Sequence, residues 1–174
     1  MIRYQPPMEP LADCVIEDAR WAAVGLEPLA LRAVQATLAA LGLPETGFTL
    51  AVMGCDDARI ATLNAEFRGK PTPTNVLSWP TWDMAADDDG GQPDPAEPGS
   101  ADDPEALGDI AIAYETCARE ASEAGKTMAD HVTHLIVHGL LHCIGYDHIR
   151  DGDAALMEAT EVRILASLGV SDPY

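Results

Sequence analysis

Apolar runs bounded by glycine, proline and acidic residues predict a small set of strands. FTLAVMG at 48–54 and LGDIAIAY at 107–114 are the longest of these runs, and both contain β-branched and aromatic side chains. VLSW at 76–79 predicts a shorter strand, which Pro80 ends. A weaker pattern at 15–21 predicts a fourth strand.

Apolar residues at helical spacing predict the remaining elements. Leu31, Val34, Leu38 and Leu41 fall on one face of a helix from 28 to about 41, which Gly42 ends. Further helices are predicted from the N-cap Asp56 to 67, from 115 to about 125, from the capping-box residue Thr127 through the histidines, and after Asp151. About four strands and about five helices, first interspersed and then clustered, favour an α+β domain with a small mixed sheet.

One acidic segment interrupts this series of elements. Residues 83–106 include nine acidic side chains and no basic one, and they are dense in proline and glycine. Such a segment buries too little apolar surface to offset its ordering entropy. We therefore predict a single domain over 1–174 with a disordered acidic insertion at 83–106.

The charge and the cysteines narrow the range of functions. A formal net charge of −19 argues against nonspecific binding of nucleic acid over a broad surface. A local basic pocket is still compatible with this charge. No apolar run is long enough to span a membrane, and the first 14 residues lack a secretory-signal pattern. A cytoplasmic location is therefore expected, and the four scattered cysteines are predicted to be buried thiols.

The histidines carry the strongest chemical signal. All five fall between 131 and 148, and His138 and His142 stand four residues apart, so their side chains share one helix face about 6 Å apart. Gly145 can turn the chain back, and His148 can then reach the same ion. Three imidazole ligands with an open fourth position are typical of a catalytic zinc site.

The neighbouring residues permit more than one interpretation. His134, one turn before His138, suits a second-shell or substrate contact as well as a plain structural role, and His131 is assigned to solvent. Asp147 could orient a ligand or move a proton, although a turn-forming role is favoured. Cys143 lies about 100° around the helix from the ligands and is expected to point elsewhere.

The spacing HGLLHCIGYDH outlines the zinc-protease motif H-E-x-x-H-x-x-G-x-x-H, but Gly139 stands where a protease carries its glutamate base. Zinc by itself lowers the pKa of a bound water toward about 7, so hydrolysis is still feasible. A peptide would also need a proton for its amine leaving group. A phosphodiester needs charge stabilisation instead, which makes a nearby arginine the residue to seek.

Three blocks of the chain resemble the YbeY family of zinc-dependent endoribonucleases. They are HLIVHGLLHCIGYDH at 134–148, LNAEFRGKPTPTNVLSWP at 63–80 and LGDIAIAYETCAREA at 107–121, and with their spacing the resemblance covers about 46–168. Departures are LSWP for the usual LSFP, Cys143 for a common leucine, a lost acidic residue within 70–74 and a longer acidic insertion.

The resemblance implies a zincin-like α+β fold with one zinc ion per chain, held by His138, His142 and His148. It also implies that Arg68 contacts the RNA phosphate, whereas taken alone Arg68 could be a cation favoured by the helix dipole. The implied activity is single-strand-specific RNA cleavage in small-subunit ribosomal RNA 3′ maturation and ribosome quality control. The implied partners are ribosomal RNA, the small ribosomal subunit, an assembly GTPase and a small-subunit ribosomal protein.

Two other functions stay open at this point. A zincin-type peptidase or amidase fits the histidine spacing but would need a base from elsewhere. A non-catalytic ribosome-assembly factor would use the metal mainly to hold the helix and the turn together.

Overall fold

The computed structural model describes residues 9–174 and contains one mixed sheet. Its strands are β1 (Ala12–Ile16), β2 (Phe48–Cys55), β3 (Val76–Pro80) and β4 (Glu105–Ala113). They lie in the order β1-β2-β4-β3, with β1, β2 and β4 parallel and β3 antiparallel to β4. The predicted small mixed sheet of an α+β fold is confirmed.

Six helices pack with this sheet in the described residues. They are α1 (Arg20–Val24), α2 (Leu26–Ala40), α3 (Asp57–Arg68), α4 (Tyr114–Glu123), α5 (Met128–Cys143) and α6 (Asp151–Ser167). The short α1 is the helix that the apolar pattern did not predict.

The strand predicted at 15–21 is wrong in its second half. The side chain of Asp18 accepts a hydrogen bond from the Arg20 backbone N–H at 3.0 Å, which turns the chain after β1. Trp21 therefore lies in α1, where it is fully buried and its indole N–H donates to the Cys55 carbonyl at 2.8 Å. A large aromatic ring thus fills the core from a helix instead of from a strand.

Helix α5 runs through the centre of the main core, between α2, α4, α6 and the sheet. At Gly139 the helix approaches β4 so closely that a Cβ atom would lie 3.0 Å from Ile110 Cδ1. Helix α3 packs on the opposite face of the sheet, over a smaller apolar cluster that includes Ile60 and Leu63. The sheet thereby separates the two helices that carry the predicted site residues, and β3 forms the edge between them.

The acidic segment contains neither helix nor strand up to residue 104, and Glu105 already belongs to β4. Parts of the segment contact the domain: Ala96 is 8% exposed, and the Arg150 guanidinium donates to the Asp87 carbonyl at 2.8 Å. Its disorder stays a prediction.

Residues 1–8 lie outside the described part, so most of the segment on which the secretory-signal prediction rests is not described. Within 9–174, none of the helices is both long and apolar enough to cross a membrane.

Candidate metal centre

The three predicted ligands come together at the end of α5. The helix begins with Thr127, whose hydroxyl accepts the Asp130 N–H at 3.1 Å, and it ends at Cys143. Gly145 then adopts φ +107°, and a Cβ there would lie 2.6 Å from the Met84 carbonyl oxygen, so only glycine fits this turn.

The turn brings His148 beside the two helix histidines. The ring centroid of His148 lies 5.0 Å from that of His142 and 5.5 Å from that of His138. One nitrogen from each of the three rings falls within 4.8 Å of the others. The structure thus supports the predicted juxtaposition of these histidines.

For the two helix histidines, hydrogen bonds on the far side of the ring fix which nitrogen faces inward. His142 Nδ1–H donates to the Tyr146 carbonyl at 3.0 Å, and His138 Nδ1–H donates to the Glu161 carboxylate. The two Nε2 atoms therefore carry lone pairs, and they face each other at 3.1 Å. Two lone pairs at this distance repel each other unless a cation lies between them.

The donor set fits a zinc ion. Zn–N bonds of about 2.0–2.1 Å at tetrahedral angles place neighbouring ligand nitrogens about 3.3 Å apart, close to the observed separation. Burial, reinforced by the nearby His138 and His148, lowers the pKa of His142 to about 4. His142 is thus neutral near pH 7, which is the form that binds a metal.

Glu161 on α6 is a site residue that the sequence reasoning missed. Its side chain is fully buried, and it accepts hydrogen bonds from His138 Nδ1, from the Tyr174 hydroxyl and from His134 Nε2, the last at 3.3 Å. Burial alone would raise the pKa of Glu161, but these hydrogen bonds outweigh it and lower the pKa to about 2. An ionised carboxylate therefore lies directly behind one of the predicted ligands.

The remaining predictions around the histidines have mixed outcomes. His134 does not reach the position between the three predicted ligands; it hydrogen-bonds to Glu161, which in turn hydrogen-bonds to His138. The assignment of His131 to solvent is wrong: this side chain is 8% exposed because other elements surround α5, and its Nε2 lies 3.7 Å from Glu120 Oε2. Asp147 Oδ1 accepts the His148 backbone N–H at 2.7 Å, which is the favoured turn-forming role.

Arg68 lies in the same groove as the histidines. It is the last residue of α3, ahead of Gly69 in the left-handed conformation, and its side chain is exposed. A groove of about 950 Å³ joins Arg68 to all three histidines along the edge of β3. No carboxylate of the described residues lies within ion-pair distance of Arg68. Its guanidinium can therefore bind an anion from solution.

Gly139 faces the sheet instead of the groove. A Cβ at this position would meet Ile110 Cδ1 at 3.0 Å, Ile110 Cγ1 at 3.3 Å and Val76 Cγ2 at 3.6 Å. A side chain at this position would start toward the sheet and press on Ile110, which disfavours a protease-type glutamate base here.

Comparison with known proteins agrees with this geometry. The profile of the family described as Endoribonuclease YbeY matches residues 16–169. The chain is 64% identical over 167 residues to the Endoribonuclease YbeY of Cereibacter sphaeroides, covering 96% of this chain and all of the relative. It is 59% identical to the Dinoroseobacter shibae protein of the same name, covering 99% and 95% of the two chains.

The fold is similar to the solution structure of a Thermotoga maritima protein, with a TM-score of 0.54 and 19% identity over 93% of this chain and 97% of that one. That likeness bears on the fold alone. The profile match and the curated relatives cover nearly the whole chain, and on that basis the chain belongs to the YbeY endoribonuclease family.

Proposed function

We propose that this protein is a zinc-dependent, single-strand-specific endoribonuclease. It acts in the cytoplasm on the 3′ end of small-subunit ribosomal RNA and in ribosome quality control. The observation that carries the proposal is the groove that three converging imidazoles and Arg68 line together, while Gly139 supplies no protease base. Membership of the endoribonuclease family supports the same reaction.

The roles of the side chains follow from their positions. His138, His142 and His148 would hold one zinc ion, which when bound supplies a Lewis acid and lowers the pKa of water at the site. Arg68 binds the phosphate oxygens and stabilises the charge that grows on them during cleavage. Burial keeps His142 neutral, so that its Nε2 stays available as a ligand.

The aromatic lining of the groove supports a single-stranded substrate. Trp82 lines the groove and is 60% exposed, while its indole N–H donates to the Glu105 carboxylate. The anchored ring offers a face on which one unpaired base can stack, an interaction worth about 1–3 kcal/mol per base. A base held within a duplex has no free face for such stacking.

The charge of the chain favours recognition within a particle over tight binding of free RNA. A net charge of −19 leaves few cations for phosphate contacts. The family resemblance implies the small ribosomal subunit, an assembly GTPase and a small-subunit ribosomal protein as partners, and we propose that they supply the missing affinity.

The test compares cleavage of a single-stranded ribosomal RNA fragment and of its duplex by the wild type and three variants. His142→Ala should abolish zinc binding and cleavage together. Arg68→Ala should slow cleavage by about 100-fold while zinc content is unchanged. Arg32→Ala, which removes an exposed arginine of α2 outside the groove, is the matched control and should cleave normally.

Other results would overturn the proposal. Equal cleavage by all four proteins would identify a contaminating nuclease. Casein cleavage that disappears in His142→Ala would favour the peptidase alternative. Normal RNA processing in cells carrying Arg68→Ala, together with unfolding on zinc removal, would favour a non-catalytic assembly factor.

A further inference from the structure

We propose that Glu161 is a positioning residue for the metal centre: its carboxylate orients His138 and strengthens this histidine as a ligand, and Tyr174 and His134 hold the carboxylate in place. The inference rests on the proposed function in one respect, namely that His138 binds the metal. It adds residues from α6 and beyond it to a site that the motif places on α5 and the turn that follows it.

The orientation of His138 follows from its two ring nitrogens. Glu161 Oε1 is the acceptor in this contact, so the His138 nitrogen that faces it carries the proton. That nitrogen is Nδ1, and the lone pair is then on Nε2, which faces His142 Nε2 at 3.1 Å. Glu161 thus selects the tautomer of His138 that is able to bind a metal.

The buried negative charge of Glu161 also strengthens His138 as a metal ligand. Glu161 is 0% exposed, so water does not screen its charge, and the ring of His138 separates it from the metal position. A carboxylate bound to the far nitrogen of an imidazole makes the near nitrogen more basic and a better ligand. Within residues 9–174, a carboxylate hydrogen-bonds to the ring of His138, whereas His142 Nδ1 bonds to a neutral backbone carbonyl.

Two further donors explain how a buried carboxylate is tolerated. The Tyr174 hydroxyl and His134 Nε2 both donate to Glu161 Oε2, while His138 occupies Oε1. Both carboxylate oxygens therefore have partners, as a buried charge requires. The ring of Tyr174 lies edge-on to His134 at 6.1 Å between centroids, and its residue lines the groove, so Tyr174 shields the carboxylate on the groove side.

The residues around Glu161 could instead form a second metal site, which would give two zinc ions per chain. His134, His138 and Glu161 also offer ligand atoms within 4.8 Å of one another, as a second metal site would. Hydrogen bonding is favoured because His138 Nδ1 and His134 Nε2 each contact a separate oxygen of Glu161. The expected stoichiometry is therefore one zinc ion per chain, and two would contradict the inference.

The test measures zinc affinity by competition with a chromophoric chelator, together with the visible absorption of the Co²⁺-substituted protein. Glu161→Gln keeps the shape of the side chain and removes its charge, and zinc affinity should fall by about 10-fold to 100-fold. Tyr174→Phe removes one donor from an exposed side chain and should lower the affinity by a smaller factor. The cobalt spectrum of Glu161→Gln should change in intensity or position as His138 reorients.

Glu158→Gln is the matched control, because it removes the same charge from an exposed position on the same helix, and its zinc affinity should equal that of the wild type. A purely structural role for Glu161 would lower the melting temperature of Glu161→Gln and leave the affinity of the folded protein unchanged, which would refute the inference. If Glu161→Gln does not fold, unchanged affinity in Tyr174→Phe refutes it instead. A wild type that binds no zinc would contradict the proposed function itself, whereas RNA cleavage plays no part in this measurement.

Discussion

Replacing Gly139 by glutamate restores the outline of a zinc-protease motif, and we expect this change to destabilise the fold without creating a peptidase. The reason is the close approach of α5 to the sheet. A Cβ at position 139 lies 3.0 Å from Ile110 Cδ1 and 3.6 Å from Val76 Cγ2, so a side chain there starts toward the sheet.

The size of the destabilisation can be worked out by comparing Gly139→Ala with Gly139→Glu. Gly139→Ala gains about 1 kcal/mol of helix propensity and loses about 1–3 kcal/mol to overpacking, so its net effect on the free energy of unfolding should be small. The crowded atom is the end of the flexible Ile110 side chain, which can shift by a few tenths of an ångström. Gly139→Glu adds a carboxylate without a partner in apolar surroundings, which raises the total destabilisation to about 3 kcal/mol or more.

The assay is thermal unfolding followed by circular dichroism, together with a casein-cleavage measurement. For a chain of this size, about 3 kcal/mol corresponds to a loss of roughly 6–12 °C in melting temperature. Ala159→Glu places the same residue at an exposed position of α6 and should change the melting temperature by no more than about 2 °C. A Gly139→Glu protein that melts with the wild type and cleaves casein would refute the steric argument.

Three further outcomes are expected. Removing zinc with a chelator should lower the melting temperature by about 5–10 °C relative to zinc at 100 times its dissociation constant, and His142→Ala should show no zinc-dependent shift. Burial lowers the pKa of His131, despite the opposing charge of Glu120, so the unfolded chain binds its proton more readily and stability should fall as pH drops below about 6.5. His131→Phe should show a smaller loss of melting temperature between pH 7 and pH 5. Replacing the exposed Asp87 and Asp88 by asparagine should tighten binding of single-stranded RNA a few-fold at low salt and leave it unchanged at high salt.

The sequence could predict the histidine cluster because that part of the site is local in the chain. His138 and His142 share a face through helix geometry alone, and one glycine turn brings in His148. Strands β2, β3 and β4 were likewise predictable, because each is a short apolar run with clear boundaries.

Glu161 could not be placed in the same way, because only the packing of α6 against α5 brings it to His138. One signal was nevertheless present: Glu161 follows Met157 by four residues and precedes Ile164 by three, on a face that is otherwise uncharged. A charged residue within such a stripe is seldom fully buried without a partner, so it indicates one elsewhere in the fold. His131 was misassigned for a related reason, since the pattern along α5 does not reveal that neighbouring elements cover most of its side chain.

The long connection from β3 to β4 can vary between related proteins without disturbing the fold. These strands pair directly with each other, so a tight hairpin would suffice to join them, yet 24 residues separate Pro80 from Glu105. Because strand pairing holds both ends in place, each doubling of the connection costs only about 0.6 kcal/mol of closure entropy. The length and charge of its exposed stretch at 99–103, away from Trp82, Met84 and the buried Ala96, can therefore change, or accept an inserted reporter, while the histidines and Arg68 keep their positions on separate elements.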